Sequence, residues 1–228
     1  QGWLVTDSGL QTEAPTSQYV TATGGTITTS GDFKIHTFTG PGAFCVSNAG
    51  NAAGSNTIEY LVVAGGGGGG GAASNNTNAG GGGAGRLRTS YTNSSPLNGH
   101  TETALTLSIA TNYIVTVGAG GSGGTGYVQA GTNGLNSIFS NITSTGGGGG
   151  GPYQVLAQDG GSGGGEGSYA SATYQGAGSA VTSPVTQGYA GGLGMLYNAG
   201  ALTSAGGGGG AGAVGGNGSI GNAGAGGV

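Results

Sequence analysis

Charge is almost missing from this chain: 228 residues carry three Lys or Arg and seven Asp or Glu, for a formal net charge of −4. A nucleic-acid partner calls for a basic stripe, which Lys34, Arg86 and Arg88 do not form, so none is expected. Scattered acids give no grouping of nucleophile, base and orienting acid, and the chain is read as a non-enzyme without a cofactor. His36 and His100 lie far apart, and Asp32 with His36 on one strand face reads as an exposed pair rather than a metal site. The single cysteine, Cys45, excludes an internal disulfide and reads as a small strand residue. The longest apolar run, around Tyr60 to Ala64, falls far short of the ~20 residues of a membrane helix, so no membrane insertion is expected. Aromatic residues make up only 7%, which confines any ordinary core to residues 25 to 63 and 104 to 142. With no leader in view and glutamine at position 1, the sequence is expected to be processed or part of something longer.

What is present is glycine, 62 residues of it, in runs such as Gly65 to Gly71, Gly146 to Gly151 and Gly206 to Gly210. Glycine brings no side chain to a core and loses the most backbone freedom on ordering. Such a chain is either disordered or held by its own backbone. A period decides between them: every third position from Gly206 to Gly227 is glycine, while Ala211, Val214, Asn217, Ile220 and Ala223 occupy another register. Across Gly118 to Gly126 the pattern inverts, with Ala119, Ser122 and Thr125 spaced by three. Three residues per turn is the polyproline II repeat, which has no internal hydrogen bonds. Its amides need neighbours, and glycine lets such helices approach closely enough to bond N–H to C=O between them. The result is a polyglycine II bundle. Five prolines and a broken G-X-Y register argue against collagen.

The expected fold is mainly β and irregular with almost no α-helix. Residues 1 to 22 read as an attachment segment or linker. A small antiparallel β-unit over 23 to 63 is drawn from strand signals at Thr26 to Thr29, Phe33 to Thr39, Ala43 to Ser47 and Thr57 to Val63. A glycine-rich bundle over 64 to 228 follows, with interleaved strands at about 104 to 117 and 137 to 143. Strands run straight into glycine at Val63, Val117 and Thr145 and serve to anchor the glycine helices. Non-repetitive inserts separate the runs, and antiparallel packing would gather them at the bundle ends. They carry Tyr91, Tyr127, Tyr153, Tyr169, Tyr174 and Tyr197. Loops on a rigid scaffold are common sites of binding, and tyrosine among serine, glycine and asparagine suits adaptable recognition. These six tyrosines are the candidate receptor contacts; capping of the bundle ends is the competing reading.

The stretch YVTATGGTITTSGDFKIHTFTGPGAFCVSNAGN, the following NTIEYLVVAGGGGGGG, and the later NYIVTVGAGGSGG and SIFSNITSTGGGGGG resemble the glycine-rich domain of bacteriophage tail-fibre and other virion structural proteins. The resemblance implies a virion component, other virion proteins as partners, a homo-oligomer, and contact with a host cell-surface receptor through loops between polyglycine II helices, as in phage adhesins. Members of that family close with a hydrophobic strand, whereas this sequence stops at Val228, which implies truncation or a missing strand. Two rivals use the same bundle: an ice-binding protein with a flat face of small residues such as Ala211, Val214 and Ala223, and a subunit of an extracellular structural filament.

Overall fold

The computed structural model describes residues 15–72, 77–91, 102–126, 128–169, 176–183, 188–195 and 203–228. No helix occurs among them. The architecture is mainly β and irregular: small antiparallel sheets at one end of a large glycine lattice.

Five strands form the main sheet, in the order β1 (Val20–Thr23), β4 (Gly42–Ala49), β9 (Asn112–Thr116), β10 (Ser137–Phe139) and β11 (Ile142–Ser144), every pairing antiparallel. Period-two alternation turns Ala22, Phe44, Val46, Val115, Phe139 and Ile142 to one face, where Val62 and Leu107 complete a small apolar core. Phe44 meets Phe139 edge-on at 5.9 Å, and His36 meets Phe44 edge-on at 4.9 Å, an arrangement the ring quadrupoles favour. The hairpin of β2 (Thr26–Ser30) and β3 (Phe33–Thr37) projects from this sheet, with Phe33 and Ile35 exposed. Two short pairs complete the unit: β5 (Thr57–Ile58) with β8 (Leu105–Thr106), and β6 (Leu61–Val63) with β7 (Leu87–Thr89).

Several strand boundaries differ from the sequence expectation. β1 lies partly in the presumed linker, and β7 lies where no strand is expected, in the non-repetitive insert from Arg86 to His100. Both are short, and only their partners, β4 and β6, make them strands. The single strand expected over 138 to 143 is a hairpin: Ser140 takes a φ of 56° and reverses the chain. The sheet also takes strands from both sides of residue 63.

Glycine-rich segments rise from and return to this sheet: g1 (64–71), g2 (78–86), g3 (118–126), g4 (128–136), g5 (145–152), g6 (160–169), g7 (176–181), g8 (188–195), g9 (203–210), g10 (213–218) and g11 (222–228). Their backbone hydrogen bonds recur at a step of three residues. Gly67 and Gly70 of g1 donate to Gly83 and Gly80 of g2 at 2.9 and 3.0 Å, while Gly65, Gly68 and Gly71 donate to Leu135, Thr132 and Gln129 of g4. Gly121 and Gly124 of g3 donate to Gly66 and Gly69, and Gly147 and Gly150 of g5 donate to Gly65 and Gly68. One segment therefore addresses four neighbours through its three residue triplets, g4 and g5 sharing the one that contains Gly65 and Gly68. That is the threefold register of polyglycine II packing, and each bond returns roughly 0.5–1.5 kcal/mol net.

The centre of this lattice is dry yet holds almost no apolar side chain. Residues 146–152, 160–169 and 204–210 are continuously buried. Their glycines have no room for a methyl group: a Cβ on Gly209 would stand 2.0 Å from the Tyr189 carbonyl oxygen, and one on Gly215 2.2 Å from that of Gly207. Side chains survive where a triplet faces water, as with Ala119, Ser122 and Thr125, or Val214, Asn217 and Ile220, all exposed. The unbroken triplet of Gly206 to Gly227 does not make one long helix. It folds back at 211–212 and again at Ser219 to Asn222, whose backbones bond reciprocally at 2.9 and 2.8 Å.

Candidate functional site

Hydrogen-bond register sorts the connections onto two ends. Segments g1, g3 and g5 leave the sheet directly after Val63, Val117 and Ser144, so their far termini, near Gly71, Gly126 and Pro152, define the distal end. Gly71 bonds Gln129, Gly80 bonds Gly151, Ser168 bonds Asn78 and Tyr169 bonds Met195. The described residues flanking 73–76, 127, 170–175 and 196–202 therefore lie at the distal end, where the chain also reverses at 152–156 and 219–222. The turns at 158–161 and 210–213 and the described flanks of 184–187 lie at the sheet end, since Val181 bonds Gly160 and Gly161 bonds Gly146, next to β11.

Distally, Asn78 is the organising side chain. Its amide donates to the Thr203 carbonyl at 2.7 Å and to its hydroxyl at 2.8 Å, and its backbone N–H donates to Ser168 Oγ at 3.0 Å. Ser204 Oγ donates to the Ser219 carbonyl at 2.8 Å. These side chains border an uncharged depression of about 410 Å³ lined by Ala72, Thr77, Asn78, Thr203, Ser204 and Gly221 among others. A short hydroxyl or amide at each segment end gives the last amides and carbonyls the partners that the lattice no longer supplies.

Of the candidate tyrosines, Tyr153 is half-buried at the distal end, and Tyr169, also distal, is only 7% exposed. Tyr169 caps the bundle more than it offers a surface. Tyr91 is exposed but follows β7 at the sheet end, so it does not join the others. Tyr127, Tyr174 and Tyr197 lie outside the described residues, although the segments flanking them end distally. Sequence reading passed over Asn78 and Glu166; a polar residue beside a glycine run is the signal that marks both.

Glu166 is 1% exposed in the middle of g6. Its carboxylate accepts the N–H of Gly176 at 2.7 Å and that of Gly194 at 2.9 Å. One side chain thus holds the start of g7 and the end of g8, the described flanks of 170–175 and 196–202. Burial pushes its carboxyl above the ordinary range, against the lowering effect of the two N–H bonds.

The other buried charges sit at the sheet end. Glu102 receives Arg88 through Nε at 2.6 Å and through a second short contact at Nη2, with Arg86 at 3.7 Å and the Tyr60 hydroxyl donating at 2.9 Å. Burial alone would raise the Glu102 carboxyl, but the bonds from Arg88 and Tyr60 and the charges of both arginines outweigh it and hold it low. Burial, then the nearby Arg88, brings Arg86 down to about 10, while burial and the bond to Glu102 push Tyr60 up to about 12. This cluster pins g2 and β7 to β6 and is a structural clasp. His36 is likewise structural, its Nδ1 lying 2.8 Å from the Gly24 carbonyl. Among the described residues, no three His, Cys, Asp or Glu side chains gather as a metal set, and no helix is long and apolar enough to cross a membrane.

A family model described as a glycine-rich domain matches residues 39–228. The chain belongs to the glycine-rich domain family. The match begins just before β4 and takes in the rest of the sheet and the whole lattice, so this glycine-rich domain includes both the anchor and the bundle. No curated protein and no solved structure matches the chain.

Proposed function

We propose that this glycine-rich domain is a non-enzymatic structural protein of a virion, a tail-fibre or other fibre component, whose distal connections touch the host cell surface. The observation that carries the reading is polarity. A β-sheet with exposed Phe33, Ile35 and Ile114 occupies one end, suited to joining other virion proteins. The reversals at 152–156 and 219–222 and the described flanks of 73–76, 127, 170–175 and 196–202 gather at the other. A backbone lattice needs little from the connections joining its segments, so their sequences are free to serve recognition.

Exchanging 152–156, 170–175 and 196–202 for unrelated loops of equal length tests this. The expected result is altered adsorption of the particle with an unchanged melting curve. Unchanged adsorption after every exchange would reduce the domain to a spacer. The competing ice-binding reading rests on a face of small residues at Ala211, Val214 and Ala223, of which Val214 and Ala223 are exposed, and a thermal hysteresis measurement decides it.

A further inference from the structure

The lattice has an unfinished side. Segment g1 bonds g2, g5, g4 and g3, and successive members of that series also bond one another: Gly83 to Gly148, Gly131 to Gly150, and Thr132 to Ser122. Four consecutive neighbours around one helix of a hexagonal array span half a turn, which sets g3, g1 and g2 in a single row. Segment g2 repeats this arrangement with g1, g5, g6 and g9, extending the row to g9. Beneath the row lies the rest of the bundle. Above it, among the described residues, stands only g11, bonded to g9 through Gly224 to Ala205 and Gly227 to Gly208.

Two independent features mark this side as an interface. The first is its donors: the N–H groups of Gly66 and Gly69 in g1, of Gly82 and Gly85 in g2, and of Gly208 in g9 make no hydrogen bond, although the other two triplets of g1 and g2 are bonded. Unused donors recurring every third residue match another backbone with three residues per turn. The second is shape. Gly66, Gly69, Gly120 and Gly123 present bare backbone to solvent, and the row meets g11 at a step, forming a trough of about 520 Å³ lined only by glycine and alanine.

We infer that a second copy of this chain stacks the same face, g3, g1 and g2, against this one and continues the hydrogen-bond lattice across a twofold axis. The step favours a self-complementary fit: inverted and shifted along the row, each copy ends against the g11 of the other. No charged side chain lies in g1 or g3, so like charges do not oppose the approach. Segments of about eight residues at about 3.1 Å per residue are about 25 Å long. Three backbones about 5 Å apart give a width of about 15 Å. The pair then buries about 750 Å² in total, below the ~1,000 Å² of a stable specific interface, which fits a weak, reversible dimer.

Sedimentation equilibrium tests the inference without disturbing the fold. A Cβ on Gly66 meets Gly83 O at 3.6 Å and Gly85 N at 3.9 Å, and one on Gly123 meets Gly69 O at 3.7 Å, all ordinary contacts. Gly66→Val and Gly123→Val are therefore expected to keep the wild-type circular dichroism and thermal midpoint while abolishing a concentration-dependent dimer. Amide exchange supplies a readout free of substitutions: Gly66, Gly69 and Gly82 should exchange slowly in concentrated wild-type protein and quickly on dilution. A wild type that stays monomeric through the micromolar range, or a dimer that survives both substitutions, overturns the inference.

Discussion

Glu166 shows how much one side chain contributes where most residues have none. Its two acceptors stand in for a pair of backbone carbonyls where g7 and g8 diverge towards the distal end. Because burial raises its pKa in the folded state, the native protein holds more protons than the unfolded chain between the ordinary carboxylate value and the raised one. Stability from this group is thus greatest below the ordinary value and declines as pH rises through that window. Glu102 acts oppositely: its lowered pKa contributes stability above the ordinary value that is lost on acidification. In Glu166→Gln the first slope disappears and the second remains. Urea midpoints measured against pH should therefore show the stability of the variant rising relative to wild type as pH increases above the ordinary carboxylate value. A constant difference would mean that Glu166 does not titrate as a buried carboxylate.

Within a glycine segment, the consequence of a substitution depends on which of the three faces it meets. Gly209 and Gly215 lie on bonded faces, where a Cβ would come within 2.0 and 2.2 Å of a carbonyl oxygen. Gly209→Val and Gly215→Val are expected to lose the native thermal transition or aggregate, since no flexible atom can yield. Gly226, with nothing within 4 Å of an added Cβ, is expected to accept alanine with no loss, or with a gain of about 0.4–1 kcal/mol through a less flexible unfolded chain. Calorimetry of the three variants checks the ranking. The triplet itself was legible in the sequence: Ala119, Ser122 and Thr125 showed the period of three by their spacing alone. Which segment each face meets was not, since all glycine runs carry the same information. The short strands were legible where alternation was strong, as at Phe44 and Val46, and missed where a partner decided, as at Leu87–Thr89.

For the whole molecule, the unusual term is the character of the buried surface. The apolar core rests on a few residues around Phe44, Val115 and Phe139, whereas the much larger lattice buries peptide groups. Exposure of apolar area raises the heat capacity and exposure of polar area lowers it. Scanning calorimetry should therefore give a ΔCp of unfolding per residue clearly below the usual ~12–15 cal/mol/K. A normal value would show that side-chain burial dominates after all.

The sequence by itself determined the kind of cohesion: glycine runs with a period of three among 62 glycines leave the backbone as the main partner for the backbone, and strands feeding glycine runs fix where that begins. Only the tertiary structure decided the lattice order, the polarity that sends one set of turns to the distal end, the removal of Tyr91 from that set, the burial of Tyr169 and the unfinished row above g1 and g2. The reason is physical. A glycine helix looks alike from every side, so its neighbours are chosen by where the strands and turns bring each segment into register, and that choice is made by the folded chain as a whole.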